Sequence, residues 1–127
     1  MKMNLTDFLI VFLGSGLGGV CRYGLSHVIQ TNAGAAAFPW GTFAVNMAGC
    51  LLIGLIYGFA EKSDLLSPEL RLLATVGFCG GFTTFSTFVN ENYLLLGMSE
   101  GIVAIAYALA SLAVGLGCVY AGHLLVR

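Results

Sequence analysis

The most chemically distinctive segment of the sequence is Gly80-Gly81-Phe82-Thr83-Thr84-Phe85-Ser86-Thr87-Phe88, which lies within a long apolar stretch. It combines two helix-breaking glycines with hydroxyl side chains and phenylalanines. Irregular backbone at the depth of a bilayer is tolerated only where protein buries it or where it lines a polar cavity. The segment therefore predicts a path for an ion or another substrate.

Two phenylalanines and two hydroxyls of this segment could contact a small anion. Phe85 and Phe88 are three residues apart and share one face of a helix, and the edges of aromatic rings are electropositive. The hydroxyls of Ser86 and Thr87 could replace part of the hydration shell of the anion. Ordinary core packing is the alternative for the two rings. A break in the helix also frees backbone carbonyls, whose oxygens suit a hard cation such as Na⁺ or K⁺.

Polar side chains are rare elsewhere in the apolar segments, and several of them have two possible roles. Asn46, in the middle of the second segment, can donate to an anion or join neighbouring helices. Arg22 is the only charge of the first two segments, and it either attracts anions into a vestibule or extends to the headgroups. Glu91 could hold a proton, line a vestibule or extend to the interface. Tyr107 and Ser111 share one face of the last segment and are its main side-chain hydrogen-bond donors.

The elements that must position these residues are membrane-spanning helices. The chain has 127 residues, of which 58% are hydrophobic and 9% charged, whereas an ordinary soluble domain is about 25% charged. A net charge of −1 argues against nucleic acid as a partner. Since a span needs about 20 apolar residues, we predict an all-α membrane protein with four transmembrane helices, the third one broken near Gly80-Gly81. The single transmembrane domain, residues 1–127, has predicted spans at about 8–28, 38–60, 70–96 and 101–126.

The distribution of basic residues predicts an orientation. With four spans, both termini and the charged loop at residues 61–71 share one side of the membrane. Lys2, Lys62, Arg71 and Arg127 lie on that side, while the opposite loops contain no Lys or Arg. The positive-inside rule therefore places both termini in the cytoplasm. Four helices enclose little interior, so we also expect the chain to oligomerise.

The sequence resembles the Fluc (CrcB) family of fluoride channels over essentially its whole length. The resemblance rests on the four spans, the arginine in the first span, and two motifs, Gly41-Thr42-Phe43-Ala44-Val45-Asn46 and Gly77-Phe78-Cys79-Gly80-Gly81-Phe82-Thr83-Thr84-Phe85-Ser86-Thr87-Phe88. It implies a passive, fluoride-selective channel in the bacterial inner (plasma) membrane, not an enzyme, which exports cytoplasmic fluoride and lowers its toxicity. It also implies an antiparallel, dual-topology dimer with two pores.

The resemblance assigns roles to individual residues. It implies a fluoride pore lined by Asn46, Phe85, Ser86, Thr87, Phe88, Tyr107 and Ser111, with Arg22 and Glu91 in the vestibule. It further implies a structural Na⁺ at the dimer interface, held by the backbone carbonyls of Gly80 and Thr83. Dual topology fits poorly with the bias of Lys and Arg to one side, so a paired homologous chain is an alternative to a second copy of this one.

Two other functions are compatible with a chain of this size. A small proton-coupled multidrug exporter is also a four-helix, dual-topology dimer, but it needs a membrane-embedded carboxylate shared by protons and substrate. Glu91 is the only candidate, and it lies late in the third span. A non-transporting assembly or regulatory subunit would leave Asn46 and the row of hydroxyls unexplained.

Overall fold

A computed structural model describes residues 2–127, and every regular element within that range is helical. The elements are α1 (Leu5–Asn32), α2 (Trp40–Lys62), α3 (Pro68–Leu72), a π-helical segment (Leu73–Cys79), α4 (Gly80–Phe82), α5 (Ser86–Gly97) and α6 (Gly101–Leu125). Four stretches are long and apolar enough to cross a membrane: Leu5–Asn32, Trp40–Lys62, Pro68–Gly97 and Gly101–Leu125. The prediction of an all-α membrane protein with four spans is confirmed.

Local sequence signals explain where the spans begin and turn. Asn4 and Asp7 form a capping box at the start of α1, which satisfies two backbone N–H groups that the helix leaves free. After α1, Gly34 adopts a positive φ of 69°, a conformation that glycine reaches without steric cost. The Ser67 side chain caps α3, with Pro68 in its first turn, where the missing N–H of proline costs nothing.

Glycines allow the spans to pack in two pairs. A Cβ atom placed on Gly18 would overlap the carbonyl oxygen of Phe78, so α1 lies directly against the first half of the third span. In the same way, a Cβ on Gly54 would overlap the carbonyl oxygen of Val119, and α2 lies against α6. Small residues at such sites let helix backbones approach closely in lipid, where van der Waals packing drives association.

The third span is interrupted at residues 83–85, just beyond the glycines that we expected to break it. Gly80 and Gly81 are both helical and belong to α4. The reason is that Gly81 serves packing, since a Cβ there would overlap the backbone carbonyl of Ser15 in α1. The break therefore follows the contact with α1 and does not coincide with it.

The buried core of the chain lies toward the end where α5 and α6 are connected. Leu95, Ala104 and Tyr107 form its centre, and Phe38 and Phe88 are among the half-buried rings packed around it. Many large apolar side chains remain exposed on the outside of the helices, as expected for surfaces that face lipid or another chain.

Candidate functional site

The interruption of the third span is held by a side chain of α2. The Asn46 Nδ2 donates to the Thr84 carbonyl (3.1 Å), and its Oδ1 accepts from the Thr84 N–H (2.8 Å). The Asn46 amide thus replaces both backbone hydrogen bonds that Thr84 would make in a continuous helix. Asn46 therefore joins two helices, as one of its two interpretations predicted, and its contact with an anion stays a prediction.

The hydroxyls beside the break satisfy other backbone groups. Both the N–H and the Oγ1 of Thr83 donate to the Cys79 carbonyl, at 3.0 and 2.8 Å, and this closes the end of α4. The Oγ1 of Thr84 accepts from the Thr87 N–H at 3.2 Å, at the first turn of α5. Since bilayer depth offers little water to backbone groups, these bonds explain how the chain tolerates the break.

Two carbonyl oxygens at the break are left without protein donors. In a continuous helix the Gly80 carbonyl would accept from the Thr84 N–H, but that N–H donates to Asn46 instead. Within residues 2–127, no donor bonds the carbonyl oxygens of Gly80 and Thr83. Free backbone carbonyls are the ligands that selectivity filters offer to alkali cations, so this pair fits the donor chemistry expected for Na⁺.

Arg22 of α1 also contacts the break. Its Nε donates to the carbonyl oxygen of Gly81 at 3.0 Å. The guanidinium therefore sits at the C-terminal end of the helical stretch that finishes with Phe82, where a positive charge is favourable to the helix dipole. Neither interpretation of Arg22 from the sequence included this contact, and its place in a vestibule remains a prediction.

A groove of about 530 Å³ opens beside the break, and we call it the ion groove. Its lining consists of Asn46, Met47, Gly49, Cys50, Ile53, Thr83, Thr84, Phe85, Phe88, Ala108, Ser111 and Leu112. It unites four of the predicted pore residues, which are Asn46, Phe85, Phe88 and Ser111. The ring centroids of Phe85 and Phe88 are 6.0 Å apart, with an angle of 40° between the planes. The groove thus presents two aromatic rings and few polar atoms.

Ser111 supplies the most unusual polar atom of the ion groove. Its Oγ is buried, and it has no hydrogen-bond partner within residues 2–127. Buried polar atoms nearly always have a partner in the protein or in ordered solvent. The hydroxyl therefore has an unused donor beside the groove, and a ligand there would reach it only after a small side-chain movement exposes the oxygen.

The remaining predicted pore residues lie outside the lining of this groove. Ser86 and Thr87 are exposed on the first turn of α5. Tyr107 is fully buried and packs edge-on against Phe88, with ring centroids 4.9 Å apart. These three hydroxyls therefore do not line the ion groove with Ser111, although Tyr107 packs against Phe88, which does.

Tyr107 belongs to a hydrogen-bonded network around Glu91. Its hydroxyl donates to Glu91 Oε1 at 2.9 Å, and the hydroxyl of Thr42 donates to Glu91 Oε2 at 2.9 Å. Both carboxylate oxygens are therefore engaged by hydroxyls from α2 and α6. Thr42 had no predicted role. Its position four residues before Asn46, on the same face of α2, is the signal that could have identified it.

Comparison with known proteins gives a consistent result. Residues 9–123 match the family described as "CrcB-like protein, Camphor Resistance (CrcB)". Three relatives carry the name "Fluoride-specific ion channel FluC". The protein from Bacteroides fragilis is 47% identical over 121 residues, covering 93% of this chain and 94% of the relative. The protein from Chlorobaculum tepidum is 44% identical over 125 residues, or 98% of both chains. The protein from Flavobacterium psychrophilum is 41% identical over 117 residues, which cover 92% of this chain and 94% of the relative.

Proposed function

This chain belongs to the CrcB family, and from that membership we propose that it is a passive, fluoride-selective ion channel of a bacterial membrane. Fluoride enters cells as the neutral acid and is trapped inside as the anion. An inside-negative potential then drives the anion outward through a channel, so no pumping reaction is required. The protein is a multi-pass membrane channel and not an enzyme.

One observation carries the mechanism, which is the meeting of two phenyl rings and an unpartnered hydroxyl in the ion groove. Ser111 offers a buried donor, and the rings of Phe85 and Phe88 lie at the same groove. A small anion that loses its water there gains a hydroxyl hydrogen bond and contacts with electropositive ring edges. A larger anion loses less hydration energy, so selectivity for fluoride requires that the pore, once a partner closes the groove, be too narrow to admit it.

The open side of the ion groove supports a dimer. Phe85, a predicted pore residue, is 76% exposed in the single chain. We propose that a second copy, in antiparallel orientation, covers these grooves and completes two pores. The bias of basic residues to one side favours the alternative of a paired homologous chain. Chemical cross-linking in the native membrane, followed by purification and mass determination, decides between one chain type and two.

We also propose that Na⁺ binds at the break as a structural ion of the dimer. The carbonyl oxygens of Gly80 and Thr83 without protein donors support this site, since two copies would supply four such oxygens. Na⁺ would neutralise carbonyl dipoles that are costly to leave unpaired at bilayer depth. The melting temperature of the dimer should be higher in Na⁺ than in N-methylglucamine at equal ionic strength. Equal melting temperatures would contradict the site.

The experiment that tests the channel uses liposomes containing only this purified chain. We expect the liposomes to lose fluoride rapidly, as followed with a fluoride-selective electrode, and to lose no chloride under the same conditions. Fluoride retention together with a correctly folded dimer would contradict the proposed function. Fluoride flux that appears only after a candidate partner chain is added would instead establish the paired form.

The multidrug exporter is not favoured. Such an exporter shares a free carboxylate between protons and substrate, whereas both oxygens of Glu91 accept hydrogen bonds from Thr42 and Tyr107. Fluoride efflux should therefore be unchanged by an imposed proton gradient at fixed membrane voltage.

A further inference from the structure

A second and larger groove lies far from the break, at the end of the bundle where α1 and α3 begin and α2 ends. We call it the interfacial groove. Its volume is about 770 Å³, and its lining consists of Met3, Asp7, Phe8, Val11, Phe12, Tyr57, Leu66, Pro68, Glu69, Arg71, Leu72, Thr75 and Val76. None of these residues belongs to the ion groove. The groove therefore needs an explanation of its own.

The interfacial groove carries charges of both signs. Arg71 is exposed, and its guanidinium carbon lies 5.9 Å from the centroid of the Tyr57 ring, a distance typical of a cation–π contact. Asp7 and Glu69, in the first turns of α1 and α3, line the same groove. A ligand that suits this rim carries both a negative and a positive group.

The rest of the groove is an apolar channel that runs along the spans. On the third span the whole groove extends from Pro68 to Val76, about 12 Å at 1.5 Å per helical residue. The apolar part beyond the charged residues, from Leu72 to Val76, accounts for about 6 Å of this, less than half of a leaflet that is about 15 Å thick. Phe8, Phe12 and Val76 line the groove and are each more than half exposed, at 60%, 74% and 54%. The charged residues thus lie nearer the helix ends and the apolar residues further along the spans, the order in which a lipid headgroup and its acyl chain would meet them.

We propose that the interfacial groove binds a phospholipid with a zwitterionic, primary-ammonium headgroup, phosphatidylethanolamine. Arg71 binds the phosphate by a charge-assisted hydrogen bond. Asp7 and Glu69 bind the ammonium, which has N–H donors, whereas the quaternary ammonium of phosphatidylcholine has none. Phosphatidylglycerol has one negative charge and no ammonium, so a rim with two carboxylates and one guanidinium would repel it. An acyl chain covers the exposed apolar side chains of α1 and α3.

The test uses the delipidated full chain in detergent, incubated with an equimolar mixture of the dioleoyl forms of phosphatidylethanolamine, phosphatidylcholine and phosphatidylglycerol. After repurification, mass spectrometry quantifies the lipid that remains bound. We expect phosphatidylethanolamine to be enriched about fivefold over each of the others, which corresponds to about 1 kcal/mol. Retention of the three lipids in their input ratio would overturn the proposal.

Two variants and one control make the test specific. Arg71→Gln should lower total lipid retention about fivefold, the effect of about one interfacial charge, and Arg71→Lys should restore most of it. Glu69→Gln should shift the preference from phosphatidylethanolamine toward phosphatidylglycerol, because it removes the repulsion of the anionic lipid. Lys62→Gln is the matched control, since Lys62 ends α2 on the same side but does not line the groove.

The control also separates the site from general attraction to the bilayer. If Lys62→Gln lowers retention as much as Arg71→Gln, the lipid senses only surface charge and the proposal fails. If a second copy of the chain fills the groove, the lipid ratios will not respond to Arg71 or Glu69, and the proposal fails as well. This measurement requires no ion flux, so its result is independent of the proposed channel function.

Discussion

Replacing Asn46 should destabilise the fold far more than replacing another asparagine of similar exposure. Asn46→Leu keeps much of the side-chain volume but leaves both the N–H and the carbonyl of Thr84 without partners. In water, each unsatisfied buried group would cost about 1–3 kcal/mol. Within a bilayer the unfolded chain also finds partners, and side-chain hydrogen bonds there average about 0.6 and reach about 1.7 kcal/mol. The membrane values apply here, so two bonds give a loss of about 1–3 kcal/mol.

The measurement is reversible unfolding by sodium dodecyl sulfate in mixed micelles. The chain has one tryptophan, Trp40, which begins α2 and reports on that helix without an added label. The matched control is Asn92→Leu. Asn92 Nδ2 donates to the Phe88 carbonyl at 2.9 Å within the continuous helix α5, so that carbonyl keeps its helical partner. We expect the control to change the free energy of unfolding by less than about 0.5 kcal/mol.

The variant Asn46→Asp should be at least as unstable as Asn46→Leu at neutral pH. A carboxylate at this depth is costly, and it can no longer donate to the Thr84 carbonyl, which it faces instead with a negative oxygen. Equal stability of Asn46→Leu and Asn92→Leu would refute the structural role of the two hydrogen bonds.

Five further substitutions, one of them a control, test the pore, the packing and the buried network. Phe85→Ile and Phe88→Ile should each reduce fluoride efflux from liposomes about tenfold, while size-exclusion chromatography still shows the same elution as the wild type. Full flux in both variants would remove the role of the rings. Gly81→Ala should destabilise the fold by about 1–3 kcal/mol because its methyl group overlaps a backbone carbonyl of α1. Gly117→Ala, which meets open space in α6, should instead be neutral or stabilising by up to about 1 kcal/mol. Tyr107→Phe removes the hydroxyl that donates to a carboxylate oxygen and should cost about 0.6–1.7 kcal/mol in the same unfolding assay, and an unchanged stability would show that this hydrogen bond contributes nothing.

The interruption of the third span was predictable, but its position was not. Hydroxyls and glycines in an apolar stretch indicate a break, because a lipid-facing helix has no use for them. The exact residues are fixed by a partner far away in sequence, since Asn46 lies 38 positions before Thr84. The packing of Gly81 against the backbone of α1 is likewise a long-range contact that no local pattern contains.

The side-chain network around Glu91 shows the same limit. The sequence around Glu91 predicted that it lies near the end of the third span. Three roles were compatible with that position: lining a vestibule, holding a proton and reaching the interface. Only the packing of α2, α5 and α6 brings Thr42 and Tyr107 to its two oxygens. Arg22 is a similar case, because its contact with the Gly81 carbonyl depends on how closely α1 approaches the third span.

The clamp between Asn46 and Thr84 has a consequence for how the channel can move. Gly54 brings α2 against the backbone of α6, and Asn46 joins the break to α2 by two hydrogen bonds. A movement that separated the break from α2 would have to give up both amide bonds at once. Rotation of the exposed Phe85 ring needs no such loss and belongs to the ps–ns motions of exposed side chains. The ring can therefore move more readily than the backbone that carries it.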